Sequence, residues 1–309
     1  MHKSSSHHNI LTHPFLLLAL TTLFWAGNAV IARGMRLELP PFQLAFWRWF
    51  FAALLVLIIL RPPLKADWVK IKAGWKPILL LGTLGVGMFN TFQYLAVQTA
   101  TAINVGIISA TMPIFIVVMS FLIFWERILL RQALGIVLSF VGVAIVVSRG
   151  DASVLRDLQF APGDLWMITG IVIYGAYTAL LRLRPEIHAH SFLAVTIILG
   201  AAELIPFMAW EVVTGQGVTL NIPVALTIGY TAIFPAFLAH LFFNRAVAEI
   251  GANRASAFFN LIPVYVTVLA TVFLGESLSR VHVLGMGLIL CGIILTTRTD
   301  RSPRVLNRT

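Results

Sequence analysis

Residues 126–142 read ERILLRQALGIVLSFVG, and residues 276–292 read ESLSRVHVLGMGLILCG. Both carry Glu-x8-Gly-x6-Gly, as Glu126, Gly135, Gly142 and as Glu276, Gly285, Gly292. The offset of 150 residues holds upstream: Ala96, Val97, Ala102, Pro113 and Val118 fall on Ala246, Val247, Ala252, Pro263 and Val268. Without a gap, residues 96–142 hold ten identities in 47 positions. They include a proline, a glutamate and two glycines, which apolar composition alone rarely aligns. An offset of 149 puts Trp25 on Tyr174 and Arg33 on Arg182. Self-similarity at a fixed period marks a repeated structural unit, so the chain divides into two halves.

The units belong in lipid. Apolar residues make up 59% of 309 and charged residues 11%, too few charges to coat a soluble globule of this size. Ten apolar segments of spanning length can be drawn, at 14–33, 42–60, 77–97, 102–124, 131–148, 163–182, 191–212, 223–244, 253–274 and 280–297. Backbone groups in hydrocarbon must bond within the protein, which leaves helices or a closed barrel. The alternating ten-residue segments of a barrel are absent. The expected fold is all-α, with ten transmembrane helices. The first apolar run is too long for a signal-peptide core and has no clear cleavage site, so it reads as a retained helix.

The net charge of +10 reflects topology rather than nucleic-acid binding. With a cytoplasmic N-terminus, sixteen Lys and Arg fall in inside segments and five in outside ones. Both termini are therefore expected in the cytoplasm. Residues 1–13 form a cytoplasmic tail whose histidines, including His13, read as tail composition rather than a metal site. Residues 14–150 form the first unit, 151–298 the second, and 299–309 a second cytoplasmic tail. Arg61 to Pro77, basic and carrying Trp68 and Trp75, reads as an interfacial segment against anionic lipid. An odd number of helices per unit makes the second copy enter the membrane upside down. Inverted repeats of this kind are an architecture of secondary transporters, with the substrate near the midplane between the halves.

The repeated Glu-x8-Gly-x6-Gly, the stretch FWAGNAVIAR (Phe24 to Arg33), and Ala-Val-x4-Ala before a helix with a proline (Ala96–Pro113 and Ala246–Pro263) together resemble the EamA-type proteins of the drug/metabolite transporter superfamily. The resemblance covers about residues 15–297. It implies a basket of ten helices, two inverted five-helix repeats, with a cavity lined mainly by helices 1, 3, 4, 6, 8 and 9. It also implies structural roles for Glu126 and Glu276 at loop–helix junctions.

Polar groups within spans are costly and face the interior or a cavity. The candidate substrate-binding residues are Trp25, Asn28, Asn90, Gln93, Tyr94, Thr111, Tyr174, Tyr177, His240, Asn244 and Asn260, with Asn104 and Ser109 also on helix 4. For each taken singly, an interhelical hydrogen bond is an equal reading. Asn90 and His240 stand 150 residues apart, as symmetry mates would. Glu203 and His240 are the proton-coupling candidates. Pro113 and Pro263, placed mid-helix, are the hinge candidates or else fixed bends. Gly135 and Gly142 share a helix face, as do Gly285 and Gly292, for close packing. Arg48 in helix 2 reads as a residue snorkelling to the external interface rather than an anion ligand.

No Walker motif appears, so ATP drive is not expected. No His-Glu zinc motif, Ser-His-Asp cue or aspartate pair points to an enzyme. The lone Cys291 forms no intrachain disulfide. No cofactor or metal is expected. The leading reading is a secondary transporter of small organic solutes in a bacterial-type inner membrane, exporting by alternating access. Its partners are the solute and membrane lipid, with a monomer or weak homodimer as its state. The alternative is a channel or a non-transporting membrane subunit.

Overall fold

The computed structural model describes residues 13–151, 153, 161–250 and 257–297, and every regular element among them is helical. The expected tails lie outside these residues, His13 excepted. Seven helices are long and apolar enough to cross a membrane. They are α1 (Pro14–Gly34), α2 (Pro41–Leu60), α4 (Trp75–Thr99), α7 (Leu130–Val147), α8 (Pro162–Leu183), α9 (Ala189–Val213) and α10 (Ile222–Ala246). Between α2 and α4 lies the short helix α3 (Leu64–Ala73). The segments α5 (Ala102–Ser109) and α6 (Met112–Phe124) are apolar and meet at a bend of 47°. Two shorter apolar helices complete the series, α11 (Leu261–Leu274) and α12 (Arg280–Thr297). Against ten expected spans, seven helices among the described residues qualify by length and composition, or eight with the bent pair counted as one.

Prolines stand in the first turn of α1, α2, α6, α8 and α10. There the missing N–H costs nothing and the fixed φ suits a helix start. Pro113 is therefore not mid-helix. It cannot donate to the preceding turn, so the ladder breaks at Ala110–Thr111 and α6 restarts with Pro113 in its first turn. Pro263 is placed similarly, as the third residue of α11 after a 3-10 turn at Ala257–Asn260.

Three spans contain π-helical segments: Val56–Leu60 in α2, Thr83–Met88 in α4 and Ala232–Leu238 in α10. Pro235 disrupts the normal ladder inside the last. The segments in α4 and α10 lie about 150 residues apart.

The most extensive helix contact joins α7 to α12. A Cβ on Gly142 would stand 2.7 Å from the carbonyl oxygen of Gly285, and one on Gly285 would stand 2.9 Å from that of Gly142. Ser139 donates to the Ile289 carbonyl at 3.3 Å, its own counterpart under the 150-residue offset. The outer surface is apolar. Phe50, Phe51, Leu54 and Ile58 of α2 are exposed, as are Val268, Val272 and Phe273 of α11. A bilayer supplies the cover these side chains lack. On α3 and at its exit, Trp68 and Trp75 are exposed beside Lys72 and Lys76.

Candidate functional site

The polar residues of α1, α2 and α4 converge inside the bundle. Arg48 of α2 donates through Nη1 to Asn90 Oδ1 and, at 3.1 Å, to the Tyr94 hydroxyl. Tyr94 donates onward to Asn28 Oδ1 at 2.8 Å, and Asn28 Nδ2 donates to Gln93 Oε1 at 3.1 Å. Each link passes polarisation away from the guanidinium, the arrangement in which successive hydrogen bonds reinforce one another. Asn28, Asn90, Gln93 and Tyr94, singled out in the sequence, thus form one network. Its centre is Arg48, which is 2% exposed and does not reach the interface. The snorkelling expectation fails because the buried face of α2, at Ala45, Arg48, Trp49, Ala52 and Val56, turns this side chain into the bundle.

An aromatic wall adjoins the network. Trp25 stacks on Phe259 with centroids 5.5 Å apart and planes 3° from parallel. Its indole Nε1 donates to the Pro235 carbonyl at 3.2 Å, within the π segment of α10. The His240 ring stands edge-on to Trp25 at 6.1 Å and to Trp49 at 6.4 Å. Trp25 and His240 are only half-buried. Asn260 is half-buried next to Phe259.

A second group lies where α8 meets α4. Tyr174 packs on Phe89 at 4.6 Å and on Tyr177 at 5.5 Å. Gly85 lets the Tyr177 ring approach, for a Cβ there would stand 2.6 Å from the ring. Glu203 accepts from Thr83 Oγ1 at 2.6 Å and faces Gly87. Both contacts fall on the π segment of α4. Two candidates stand apart from these groups. The Thr111 hydroxyl donates within its own turn, to Ile108 at 2.7 Å. Asn244 is exposed, next to the Arg245–Glu249 pair.

Among the described residues, two ion pairs join distant parts of the chain. Arg33 Nε lies 3.8 Å from Glu276 Oε1, and Arg182 Nη2 lies 2.8 Å from Glu126 Oε1. The Glu276 carboxylate also accepts the N–H groups of Ala102 and Ile103 at 2.9 and 3.0 Å, capping α5. Arg33 donates to the carbonyls of Val97 and Gln98 at the end of α4. The first pair is enclosed, with side chains 17% and 12% exposed; the second is open, at 44% and 52%. Beside the first, Asn104 donates to Asp164 at 3.2 Å and meets His282 Nε2 at 3.0 Å.

Sequence reasoning missed a buried carboxylate. Glu211 of α9 is 1% exposed and accepts the N–H groups of Phe42 and Gln43 at 3.1 and 2.9 Å, capping α2. The one signal was an acid near a helix end, which does not name its partner helix.

A bundle of apolar helices around a buried polar network is that of a multi-pass membrane protein, and the comparisons make it a transporter. The EamA-like transporter family matches residues 13–148 and again residues 161–298. The chain belongs to the EamA-like transporter family. It is 28% identical over 294 residues to the uncharacterized transporter YyaM of Bacillus subtilis (strain 168), covering 94% of this chain and 95% of that one. It is 28% identical over 302 residues to an uncharacterized transporter of Archaeoglobus fulgidus, covering 94% and 98%. One solved crystal structure shares the fold with a TM-score of 0.55 at 19% identity, covering 92% of this chain and 96% of that one.

Proposed function

We propose that this transporter moves small organic solutes across the inner membrane by alternating access, in the direction of export. In this reading two inverted five-helix units, residues 14–150 and 151–298, hold the solute between them. Both termini are cytoplasmic, the partners are the solute and the surrounding lipid, and the protein works as a monomer or weak homodimer.

The observation that carries the reading is the exchange of ion-pair partners between halves. Arg33 and Arg182 are counterparts in the repeat, as are Glu126 and Glu276. Arg33 pairs with Glu276, and Arg182 with Glu126. Each half thus gives an arginine to one pair and a glutamate to the other. A twofold axis in the membrane plane would carry one pair to the opposite face. The unequal exposure of the pairs fits a bundle sealed at one end and loosened at the other. The α7–α12 contact and the offset of the two π segments support the same axis. Two related arrangements of one scaffold are what alternating access requires.

The test is transport by purified protein in proteoliposomes, with a panel of amino acids, metabolites and drug-like solutes under imposed proton and solute gradients. Saturable movement of one solute class is expected. No movement of any panel solute would overturn the reading. A unitary conductance in planar bilayers would replace it with a channel.

A further inference from the structure

The transport reading leaves the charge of Arg48 unexplained. A guanidinium does not shed its proton inside a protein. Inside a span a fixed charge persists by pairing with an opposite charge or reaching water. Arg48 does neither. Its Nη1 partners are Asn90 and Tyr94, both neutral, and its guanidinium carbon lies 4.4 Å over the neutral Trp49 ring. Among the described residues no Asp or Glu makes an ion pair with it. Two adjacent donors are also unused: Arg48 Nε and Trp49 Nε1 are buried without hydrogen-bond partners. The lipid side of α2 is a separate face, carrying Phe50, Phe51 and Leu54.

We propose that Arg48 is the anchor for a carboxylate on the transported solute, so that the substrates are small organic acids with an apolar or aromatic body. This rests on the transport reading and names its substrate class. The planar fork of a guanidinium matches a carboxylate with two parallel hydrogen bonds. The Trp49 N–H supplies a further donor at the same place. The Asn90–Tyr94–Asn28 network fixes the orientation of the fork before a solute arrives. His240 bridges the rings of Trp49 and Trp25, so the solute's body would lie along the Trp25–Phe259 wall. The incoming anion supplies the countercharge that the chain does not.

The experiment is ligand-dependent thermal stabilisation and binding on the purified full-length protein. The probes are aliphatic and aromatic monocarboxylates and amino acids, each beside its methyl ester and its amide. Acids are expected to stabilise the protein, and esterification to weaken binding by at least about tenfold. Arg48→Lys should keep weak acid binding and Arg48→Gln should lose it. Where a variant fails to fold, the acid–ester contrast on the unaltered protein decides alone. Equal binding of acids and esters, or binding of neutral or cationic solutes only, overturns the carboxylate anchor and leaves the transporter reading standing. If no solute of any charge binds or moves, both fall together.

Discussion

Glu276 both faces Arg33 and caps a helix: its Oε1 lies 3.8 Å from Arg33 Nε, while the two carboxylate oxygens accept the N–H groups of Ala102 and Ile103. An arginine at position 276 could reproduce the ion pair but could accept neither N–H. The charge swap Arg33→Glu with Glu276→Arg is therefore expected not to rescue Glu276→Ala. The loss should be about 1–3 kcal/mol, read by denaturant titration in mixed micelles. Glu126 pairs with Arg182 at the surface, both side chains being exposed. Neutralising Glu126 should cost under about 1 kcal/mol, and the swap there should restore it. Rescue at the enclosed pair would contradict the double role of Glu276.

Tyr94 joins two helices through one hydroxyl, accepting from Arg48 and donating to Asn28. Tyr94→Phe keeps the ring and deletes both bonds. Burial leaves the former partners no water to turn to. A destabilisation of about 1–3 kcal/mol is expected, with transport falling by more than the loss of folded protein explains. Parallel unfolding and uptake measurements separate the two. Unchanged stability would mean that the network does not hold α1, α2 and α4 together.

The α7–α12 contact predicts a contrast between two glycines. A Cβ at Gly142 would meet the Gly285 carbonyl at 2.7 Å, an obstacle of backbone that cannot swing aside. Gly142→Ala should cost about 1–3 kcal/mol by overpacking. A Cβ at Gly287, on the same helix α12, would meet nothing within 4 Å. Gly287→Ala should be neutral or stabilising, since alanine is the better helix former. Equal effects at both positions would rule out close packing as the reason for Gly142.

Cys291 is the chain's single cysteine and is exposed on α12. If that exposure is to lipid, a charged aqueous thiol reagent should leave it unmodified in proteoliposomes, while a membrane-permeant one labels it slowly. Fast labelling by the charged reagent would place α12 against water. Cys291→Ala should fold normally and give a cysteine-free background for accessibility mapping of the two ion-pair ends.

The duplication could be read from Glu126, Gly142 and their counterparts because it leaves its register in the order of residues. Asn28, Asn90, Gln93 and Tyr94 could be singled out because polar atoms inside an apolar span need a reason. What they bond to could not be read, since a helix apolar all round carries no amphipathic phase to show which face turns inward. Arg48 illustrates this. Its position along α2 allowed a path to the interface, and only packing against α4, α9 and α10 closed that path. Glu211 and Glu276 show the same gap, each capping a helix more than 150 residues away in sequence.

Composition and spacing alone thus determined a membrane bundle with a duplicated unit, because the cost of charge in lipid and the period of a repeat are properties of the chain. The tertiary structure decided which arginine is buried without an acidic partner among the described residues, which glutamates cap distant helices, and where α5 and α6 bend apart. Those outcomes depend on helix phase and on contacts between distant residues, and neither is written along the chain.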